Sequence, residues 1–188
     1  MEHKKPDVVV LVRPFEDEIE VQANPVFVAG RYRKLVRGIP QAKWVCTRCG
    51  GRGCPRCNWE GKLYPTSISE LIAEPILEAF QGEDIAFHAA GREDIDARML
   101  GRGRPFVVEV KRPRKRKVDL SALEEEINKR ANGMVSVSGL KYVDRDFVRR
   151  IKSERAEKIY EVLVKFNRPV SDEELRALEK AFSGALIR

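Results

Sequence analysis

The sequence predicts an α+β fold, in which a sheet packs against helices. Three observations favour this class: short β-branched runs such as residues 8–12, apolar residues at helical spacing over residues 71–80, and an alternation of helix-like and strand-like segments from residue 120 onwards. The chain has 188 residues, of which 43% are hydrophobic, and this is enough for a globular core. We therefore expect a folded protein.

Three short strands are expected near the N-terminus, at residues 7–12, 19–22 and 25–28. Strands this short, with little helix beside them, cannot bury a core of their own. They must either pack on another part of the protein or form the end of a missing domain. Of these two possibilities, the pattern favours the second.

A helix is expected to begin at Ser67, because Ser67 and Glu70 have the spacing of a capping box. Residues 84–94 then read as a strand that runs into a turn. Residues 104–110 read as a second strand, and the glycine-rich residues 101–103 link the two. The rest of the chain predicts further elements in this order: a helix over 120–130, strands at 134–137 and 140–143, a helix over 145–156, a strand over 158–165, and a final helix that opens at Ser171.

All four cysteines form two C-x-x-C pairs that are four residues apart: Cys46, Cys49, Cys54 and Cys57. Each pair can place two thiolates on one metal ion, and four sulfurs satisfy tetrahedral Zn(II) without an open position. The pattern therefore predicts a structural zinc ion. A dithiol redox site and a pair of disulfides are the alternatives, but a redox motif needs a thioredoxin-like frame, and cytosolic chains seldom keep disulfides.

The net charge of +7 is concentrated in one stretch of the chain. Positions 98 to 117 contain nine basic residues and a single acid, Glu109, which gives a local charge of +8. Such a block repels itself unless an anion neutralises it, so an RNA backbone is the expected partner; a solvated hairpin tip or a disordered basic arm is the alternative. The nine residues are Arg98, Arg102, Arg104, Lys111, Arg112, Arg114, Lys115, Arg116 and Lys117.

The apolar runs are far shorter than the roughly 20 residues that a bilayer-spanning helix needs. The first residues, Met-Glu-His-Lys-Lys, lack the apolar stretch of a signal peptide. A cytoplasmic protein is therefore the expectation.

Carboxylates are the main candidates for catalysis, because the chain contains only two histidines, His3 and His88. Arg92, Asp94 and Asp96 are two residues apart, so in an extended segment all three would point to the same face. An arginine beside a buried carboxylate keeps it ionised, as a nucleophilic aspartate requires. On these residues alone, a plain surface ion pair is the alternative.

A family resemblance adds to this interpretation. Residues 91–94, Gly-Arg-Glu-Asp, resemble the G-R-x-D signature around the catalytic aspartate of several pseudouridine synthase families. The longer run over residues 87–106 closely resembles the archaeal tRNA pseudouridine(54/55) synthases, as do residues 24–41 and 46–72. The resemblance therefore covers most of the chain from about residue 24.

The resemblance implies an isomerase that converts uridine to pseudouridine in the TΨC arm of tRNA, at positions 54 and/or 55, without an organic cofactor. It implies that Asp94, and not Asp96, is the catalytic nucleophile. Tyr160 is the best counterpart of the family's aromatic residue that faces the flipped uridine, with Tyr142 as the second choice. Arg92 would keep Asp94 ionised or contact a neighbouring phosphate.

The resemblance also implies a domain plan. Residues 1–40 would be the tail of a THUMP-like RNA-binding domain, residues 41–65 a zinc module, and residues 66–188 the N-terminal part of a catalytic domain with a pseudouridine-synthase-like mixed sheet and packed helices. The family pattern is longer at both ends, so we expect a shortened chain or one product of a split gene, with a second chain completing the catalytic domain. The alternative function is a non-catalytic, zinc-containing RNA-binding module.

Overall fold

The structure is a computed structural model that describes residues 6–154 and 157–185. It has two compact units, one that runs to Glu154 and one that follows it. In chain order the described elements are β1 (Val8–Arg13), β2 (Glu18–Ala23), β3 (Val26–Lys34), a 3-10 turn (Pro55–Cys57), α1 (Ile68–Phe80), β4 (Asp84–Ala89), β5 (Met99–Lys111), α2 (Leu120–Ala131), β6 (Val135–Val143), α3 (Arg145–Ser153) and α4 (Asp172–Phe182).

The first unit is built on a four-stranded sheet with the order β4-β5-β3-β6. Its neighbouring strands are all antiparallel, so the α+β class is confirmed but the expected mixed sheet is wrong for the described strands. The loop over residues 90–98 joins β4 directly to β5 as a hairpin, which is why these two strands must run in opposite directions.

One face of the sheet packs against α1 and α2. Helix α1 presents Ile68, Ile72, Ile76 and Phe80, which are four residues apart and fully buried. This spacing places them on one side of a helix. Burial of each such side chain contributes about 1.5–3 kcal/mol. The face of the sheet beneath them includes Tyr32, so the helices fix the environment of that strand.

The opposite face of the sheet packs against α3. Val148 and Ile151 of this helix contact the core formed by Phe27, Ala29 and Val107. Alternate residues of β3 and β5 therefore serve two different cores, as the two-residue period of a strand requires. Tyr32 and Lys34 belong to the helix-covered face with Val28, and both are fully buried.

The N-terminal strands divide into two groups. β1 and β2 form a separate antiparallel hairpin whose side chains are mostly exposed. β3, the third predicted strand, lies between β5 and β6 and supplies both cores. The expectation that all three strands end a separate domain is therefore wrong for β3, because its apolar faces are buried within the sheet. A THUMP-like origin of the hairpin stays a prediction.

Two further strand predictions need correction. Residues 134–137 and 140–143 do not form two strands but one, β6, which passes through a register shift opposite residues 29–31. In the second unit, residues 157–166 have no regular structure, although a strand was expected over 158–165. A strand needs a neighbour to bond its N–H and C=O groups, and none of the described segments pairs with this one.

Helix starts agree with their predictions. Ser67 caps α1, and its Oγ accepts a hydrogen bond from Glu70 N–H at 3.2 Å. In the second unit, Ser171 and Glu174 form a complete capping box at the start of α4. Across the two described ranges, no helix is both long and apolar enough to span a membrane.

Candidate active site and cysteine cluster

Asp94 lies in the loop over residues 90–98 between β4 and β5. The loop starts at Gly91, whose φ of +84° favours glycine. A Cβ atom there would also lie 2.8 Å from Nη1 of Arg104, so a larger residue would displace that side chain. Sequence and structure thus agree on a turn immediately before the candidate nucleophile.

The loop does not have the extended geometry that was expected from the spacing of Arg92, Asp94 and Asp96. All three residues are exposed, and the segment is not a strand. The ion pair of this loop joins Glu93 to Arg104 of β5, and within the described part of the chain no ion pair joins Arg92 to Asp94. The expectation that Arg92 keeps Asp94 ionised or contacts a neighbouring phosphate stays a prediction.

Glu93, next to Asp94, points into the protein. Its side chain is only 4% exposed, and its Oε2 lies 2.9 Å from Nε of Arg104. Tyr32 Oη donates to the same carboxylate at 2.9 Å, and Gln41 Nε2 donates to Tyr32 Oη at 2.8 Å. Burial raises the pKa of the Tyr32 hydroxyl, and the charge of Glu93 raises it further, so the hydroxyl stays protonated as a donor.

Arg104 has a different role from the one expected. Its side chain is 7% exposed and its guanidinium donates to the carbonyl of Ala90, in addition to pairing with Glu93. A cation that is buried and paired in this way is not free to contact an RNA phosphate. Arg104 therefore belongs to the support of the loop, and the RNA-contact prediction for this residue is corrected.

Lys34 holds the other side of the loop. Its Nζ donates to the backbone oxygens of Asp94 at 3.0 Å and Ile95 at 2.8 Å. Burial lowers the pKa of this ammonium group, whereas the negative charges of Glu93, Asp96 and Asp94 act in the opposite direction. The sequence analysis missed this residue. The pattern that could have identified Lys34 is the strand Arg31-Tyr-Arg-Lys34, in which Tyr32 and Lys34 alternate with exposed residues and face inward.

The basic stretch divides into paired and unpaired side chains. Lys111 pairs with Asp84 at 2.6 Å, Arg112 with Glu83 at 2.7 Å, and Arg116 with Asp7 at 3.1 Å. The other members are exposed, and none of them forms an ion pair with another described residue: Arg98, Arg102, Arg114, Lys115 and Lys117. These five are the cations of the stretch that remain available to a polyanion.

The two tyrosine candidates have different surroundings. Tyr142 lies at the end of β6, where its Oη accepts from Val118 N–H at 2.8 Å and donates to Val118 O at 3.2 Å. Tyr160 lies in the second unit and is 78% exposed. Its hydroxyl and ring are thus accessible, and its position opposite a uridine stays a prediction.

The four cysteines form a compact cluster. Their Sγ atoms all lie within 4.8 Å of one another. The shorter separations are 3.9 Å for Cys46–Cys54, 3.9 Å for Cys49–Cys57 and 3.7 Å for Cys54–Cys57. Four sulfurs at about 2.3 Å from one tetrahedral ion would be about 3.8 Å apart. The cluster therefore fits a metal ion, and its separations are much longer than the roughly 2.05 Å of a disulfide bond.

Backbone groups around Cys57 favour a thiolate. Cys54 N–H and Gly61 N–H both donate to Cys57 Sγ at 3.3 Å. Burial opposes ionisation of this thiol, but hydrogen bonds from Cys54 and Gly61 outweigh it and lower its pKa to about 7. A thiolate is the form that binds a metal ion.

The cysteine module is attached to the start of α1. Cys46 N–H donates to Gly61 O at 2.8 Å, and Gly61 has a φ of +73° and would collide with the carbonyl of Gly51 if it carried a Cβ atom. Lys62 Nζ lies 3.0 Å from Oε1 of Glu70 in the first turn of α1. The tight turn thus holds the module together, and the ion pair joins it to α1.

Comparison with known proteins defines the class. The family model described as "Pus10, C-terminal" matches residues 27–188, which is most of the chain. The chain belongs to this family, and the resemblance to archaeal tRNA pseudouridine synthases is confirmed.

Individual proteins of known name are also similar to this chain in sequence. The chain is 55% identical to "tRNA pseudouridine synthase Pus10" of Methanothrix thermoacetophila, over 92% of this chain and 38% of the relative. It is 53% identical to the protein of the same name from Methanothermobacter marburgensis, over 94% of this chain and 45% of the relative. It is 51% identical to the protein of the same name from Methanocaldococcus jannaschii, over 97% of this chain and 40% of the relative. The chain thus spans less than half the length of each of these relatives.

Proposed function

We propose that this chain carries the catalytic aspartate of a tRNA pseudouridine synthase that isomerises uridine in the TΨC arm, at positions 54 and/or 55. The names of the relatives support tRNA as the substrate class and pseudouridine formation as the reaction. The observation that carries the proposal is the contrast within one loop: Asp94 is exposed, whereas Glu93 beside it is buried and paired.

The reaction explains why an exposed carboxylate is needed. The bond between N1 of uracil and C1′ of ribose breaks, the base rotates, and a bond forms from C5 to C1′. The proton on C5 is lost and N1 becomes protonated, so the product is an isomer of the substrate. The uridine must first leave the base stack, and an anionic nucleophile must then reach the sugar or the ring. Asp94 is the residue assigned to this step.

Two neighbours have proposed roles. Arg92, which is exposed two residues before Asp94, contacts the phosphate beside the extruded uridine, because its charge is not used by Asp94 in this structure. Tyr160 stacks on the uracil and assists proton removal. Its exposed ring supports this role, since a stacking residue must be accessible to the base.

The unpaired cations of the basic stretch provide the electrostatic attraction for tRNA. Arg98 and Arg102 lie in and beside the Asp94 loop, where they suit contacts to the extruded nucleotide. The group formed by Arg114, Lys115 and Lys117 lies beyond β5 and tracks the RNA backbone. The paired residues Lys111, Arg112 and Arg116 contribute less, because Asp84, Glu83 and Asp7 already neutralise them.

The cysteine cluster is proposed to hold one structural zinc ion. Cys46, Cys49, Cys54 and Cys57 would supply four thiolates, which satisfy a tetrahedral ion and leave no position for substrate. When bound, the ion supplies a cross-link that shapes the module. No step of the isomerisation passes through it.

The domain plan is also a proposal. Residues 41–65 form the zinc module, β1 and β2 are the remnant of a THUMP-like RNA-binding domain, and the catalytic domain includes β3 in addition to residues from 66 onwards, because β3 lies inside its sheet. The proposed partner is tRNA, as the names of the relatives support.

The test is pseudouridine formation on an unmodified tRNA transcript. The unmutated chain should convert uridine in the TΨC arm, and the Asp94→Ala variant should bind the tRNA with similar affinity but form no product. Binding of tRNA by the unmutated chain without any product would contradict the enzyme proposal. It would favour the non-catalytic, zinc-containing RNA-binding module.

A further inference from the structure

A buried cluster of charged and polar side chains lies directly beneath the Asp94 loop. Glu93 and Arg104 form an ion pair, and both side chains are less than a tenth exposed. Tyr32 and Lys34 reach the loop from β3 and are fully buried. Burial of ionised groups is costly, and an ion pair seldom offsets that cost in stability alone. The cluster is therefore weak as a source of stability and better explained by the conformation that it specifies.

The cluster holds the backbone of the loop on both sides of Asp94. Before Asp94, Arg104 donates to the carbonyl of Ala90, and Gln41 Nε2 donates to that of Gly91 at 2.9 Å. After it, Lys34 Nζ donates to the carbonyls of Asp94 and Ile95. These carbonyls thus bond to side chains that arise from the sheet and from the segment after β3, so the loop cannot move independently of the sheet.

Glu93 connects the two ends of this arrangement. Its carboxylate holds Arg104 on one side and accepts from Tyr32 Oη at 3.0 Å and 2.9 Å on the other. Burial alternates along this part of the loop: Arg92, Asp94 and Asp96 are exposed, whereas Glu93 and Ile95 are less so. A buried Glu93 therefore directs Asp94 outward, and the Asp94 carboxylate itself is exposed.

We propose that Glu93 is a positioning residue for Asp94: through Arg104 and Tyr32, its buried carboxylate fixes the loop backbone, and this sets where the nucleophile meets the substrate. This inference rests on the proposed function. Asp94 depends on its backbone for position, because no described side chain forms an ion pair with it. A misplacement of about 1 Å in a reacting group can reduce a rate on the order of a hundredfold.

The experiment compares three variants of the full chain with the unmutated protein, using an unmodified tRNA transcript. Glu93→Gln removes the charge, Tyr32→Phe removes one hydroxyl and leaves the ion pair, and Glu109→Gln is a matched control. Like Glu93, Glu109 is an acid with charged partners, in this case His88 and Arg145. It is half-buried, lies on β5 and does not contact the loop. Single-turnover rate and tRNA affinity are measured separately.

Glu93→Gln should lower the single-turnover rate on the order of a hundredfold, with essentially unchanged tRNA affinity. Tyr32→Phe should give a smaller loss of the same kind, and Glu109→Gln should keep the unmutated rate. An unmutated rate in a folded Glu93→Gln variant, or a loss confined to tRNA affinity, would overturn the proposal.

A double variant separates positioning from a merely structural effect. Glu93→Gln combined with Arg104→Met removes both charges of the buried ion pair, so neither member of the pair is left without its partner. The proposal expects the double variant to fold and to remain slow. A return to the unmutated rate would show that only the unpaired charge mattered, and it would overturn the positioning role.

Hydrogen exchange distinguishes failure of this inference from failure of the proposed function. Amides over residues 90–98 should exchange faster in Glu93→Gln than in the unmutated chain, while amides of β6 should not change. Unchanged exchange in the loop would overturn the inference even in an active protein. If the unmutated chain forms no pseudouridine, the proposed function fails, and faster exchange would still support the anchoring by Glu93.

Discussion

At the scale of single residues, the central feature is the opposite environment of two adjacent carboxylates. Glu93 is buried against Arg104 and Tyr32, whereas Asp94 is exposed to solvent. A buried carboxylate that is already bonded to other side chains cannot reach a substrate, whereas an exposed carboxylate can. The proposed function therefore assigns support of the loop to Glu93 and chemistry to its neighbour Asp94.

The buried Tyr32 hydroxyl predicts a pH dependence of stability. Its pKa is raised above the ordinary value of 10.0 by burial and by Glu93. Above pH 10 the unfolded chain therefore releases this proton while the folded chain retains it. The contribution of this hydroxyl to the stability of the folded state is thus present below pH 10 and is lost as the pH rises further. The free energy of unfolding should fall with an added slope of about 1.4 kcal/mol per pH unit. Urea unfolding between pH 9 and 11 measures it.

Tyr32→Phe should remove this added slope, because the titrating hydroxyl is gone. Tyr160→Phe, which changes an exposed tyrosine in the second unit, should leave the slope as it is. Equal slopes in the unmutated chain and Tyr32→Phe would contradict the buried, neutral hydroxyl.

The catalytic candidate was predictable from the sequence only through the family resemblance. The spacing of Arg92, Asp94 and Asp96 indicated one side of an extended segment; all three are exposed, but they lie in a loop with a turn and not in a strand. Nothing local marks Glu93 as the buried acid, because its partners come from β3 and β5, which are distant in sequence from each other. Burial of a charged group is decided by such distant contacts, and a local pattern does not contain them.

At the scale of elements, the cysteine module and the helix caps show what local sequence can predict. Ser67 and Ser171 cap their helices as expected, because a cap involves only residues within one turn. The cluster of four cysteines also follows from its spacing. The strand over residues 158–165 did not follow, because a strand depends on a partner that is not encoded in its own residues.

The cysteine module predicts a specific response to metal removal. Metal analysis should find about one zinc ion per chain, because four thiolates satisfy one tetrahedral ion. Removal of the ion by a chelator should increase amide exchange over residues 46–62, since the module is then held only by the hydrogen bonds of its turns, one bridge and surface ion pairs such as Lys62–Glu70. Mass spectrometry of exchange with and without chelator provides the measurement.

Cys49→Ser is the matched variant, and it should lose the metal and show no further response to the chelator. A metal-free but fully folded module with a reversible dithiol titration would instead favour the redox alternative.

At the scale of the whole molecule, the main features are the packing of the sheet and the distribution of charge. One face of the sheet carries α1 and α2, and the other carries α3. The formal charge of +7 is concentrated near the Asp94 loop and beyond β5. The amount of charge was predictable from composition, but its availability was not. The acids that neutralise Lys111 and Arg112 are Asp84, the first residue of β4, and Glu83 just before it.

The salt dependence of tRNA binding should report the unpaired cations. A variant with Arg114→Gln, Lys115→Gln and Lys117→Gln should reduce the slope of log affinity against log salt by about two to three, because each phosphate contact contributes roughly 0.7–0.9. Filter binding or fluorescence anisotropy over a range of salt concentrations gives the slope.

A variant with Lys111→Gln and Arg112→Gln is the control, and it should change the slope less, because both cations are already paired. A flat salt dependence of the unmutated chain would show that the basic stretch is only a solvated surface. Equal effects of the two variants would contradict the distinction between paired and unpaired cations.

The role of Asp94 as the nucleophile is central to the proposed function, and a comparison with Asp96 tests this role most directly. Both acids are exposed in the same loop, so Asp94→Asn and Asp96→Asn are closely matched changes. Single-turnover formation of pseudouridine in a tRNA transcript should be abolished by Asp94→Asn, with tRNA binding retained, and should persist in Asp96→Asn. Product formation by Asp94→Asn at the rate of the unmutated chain would contradict the account.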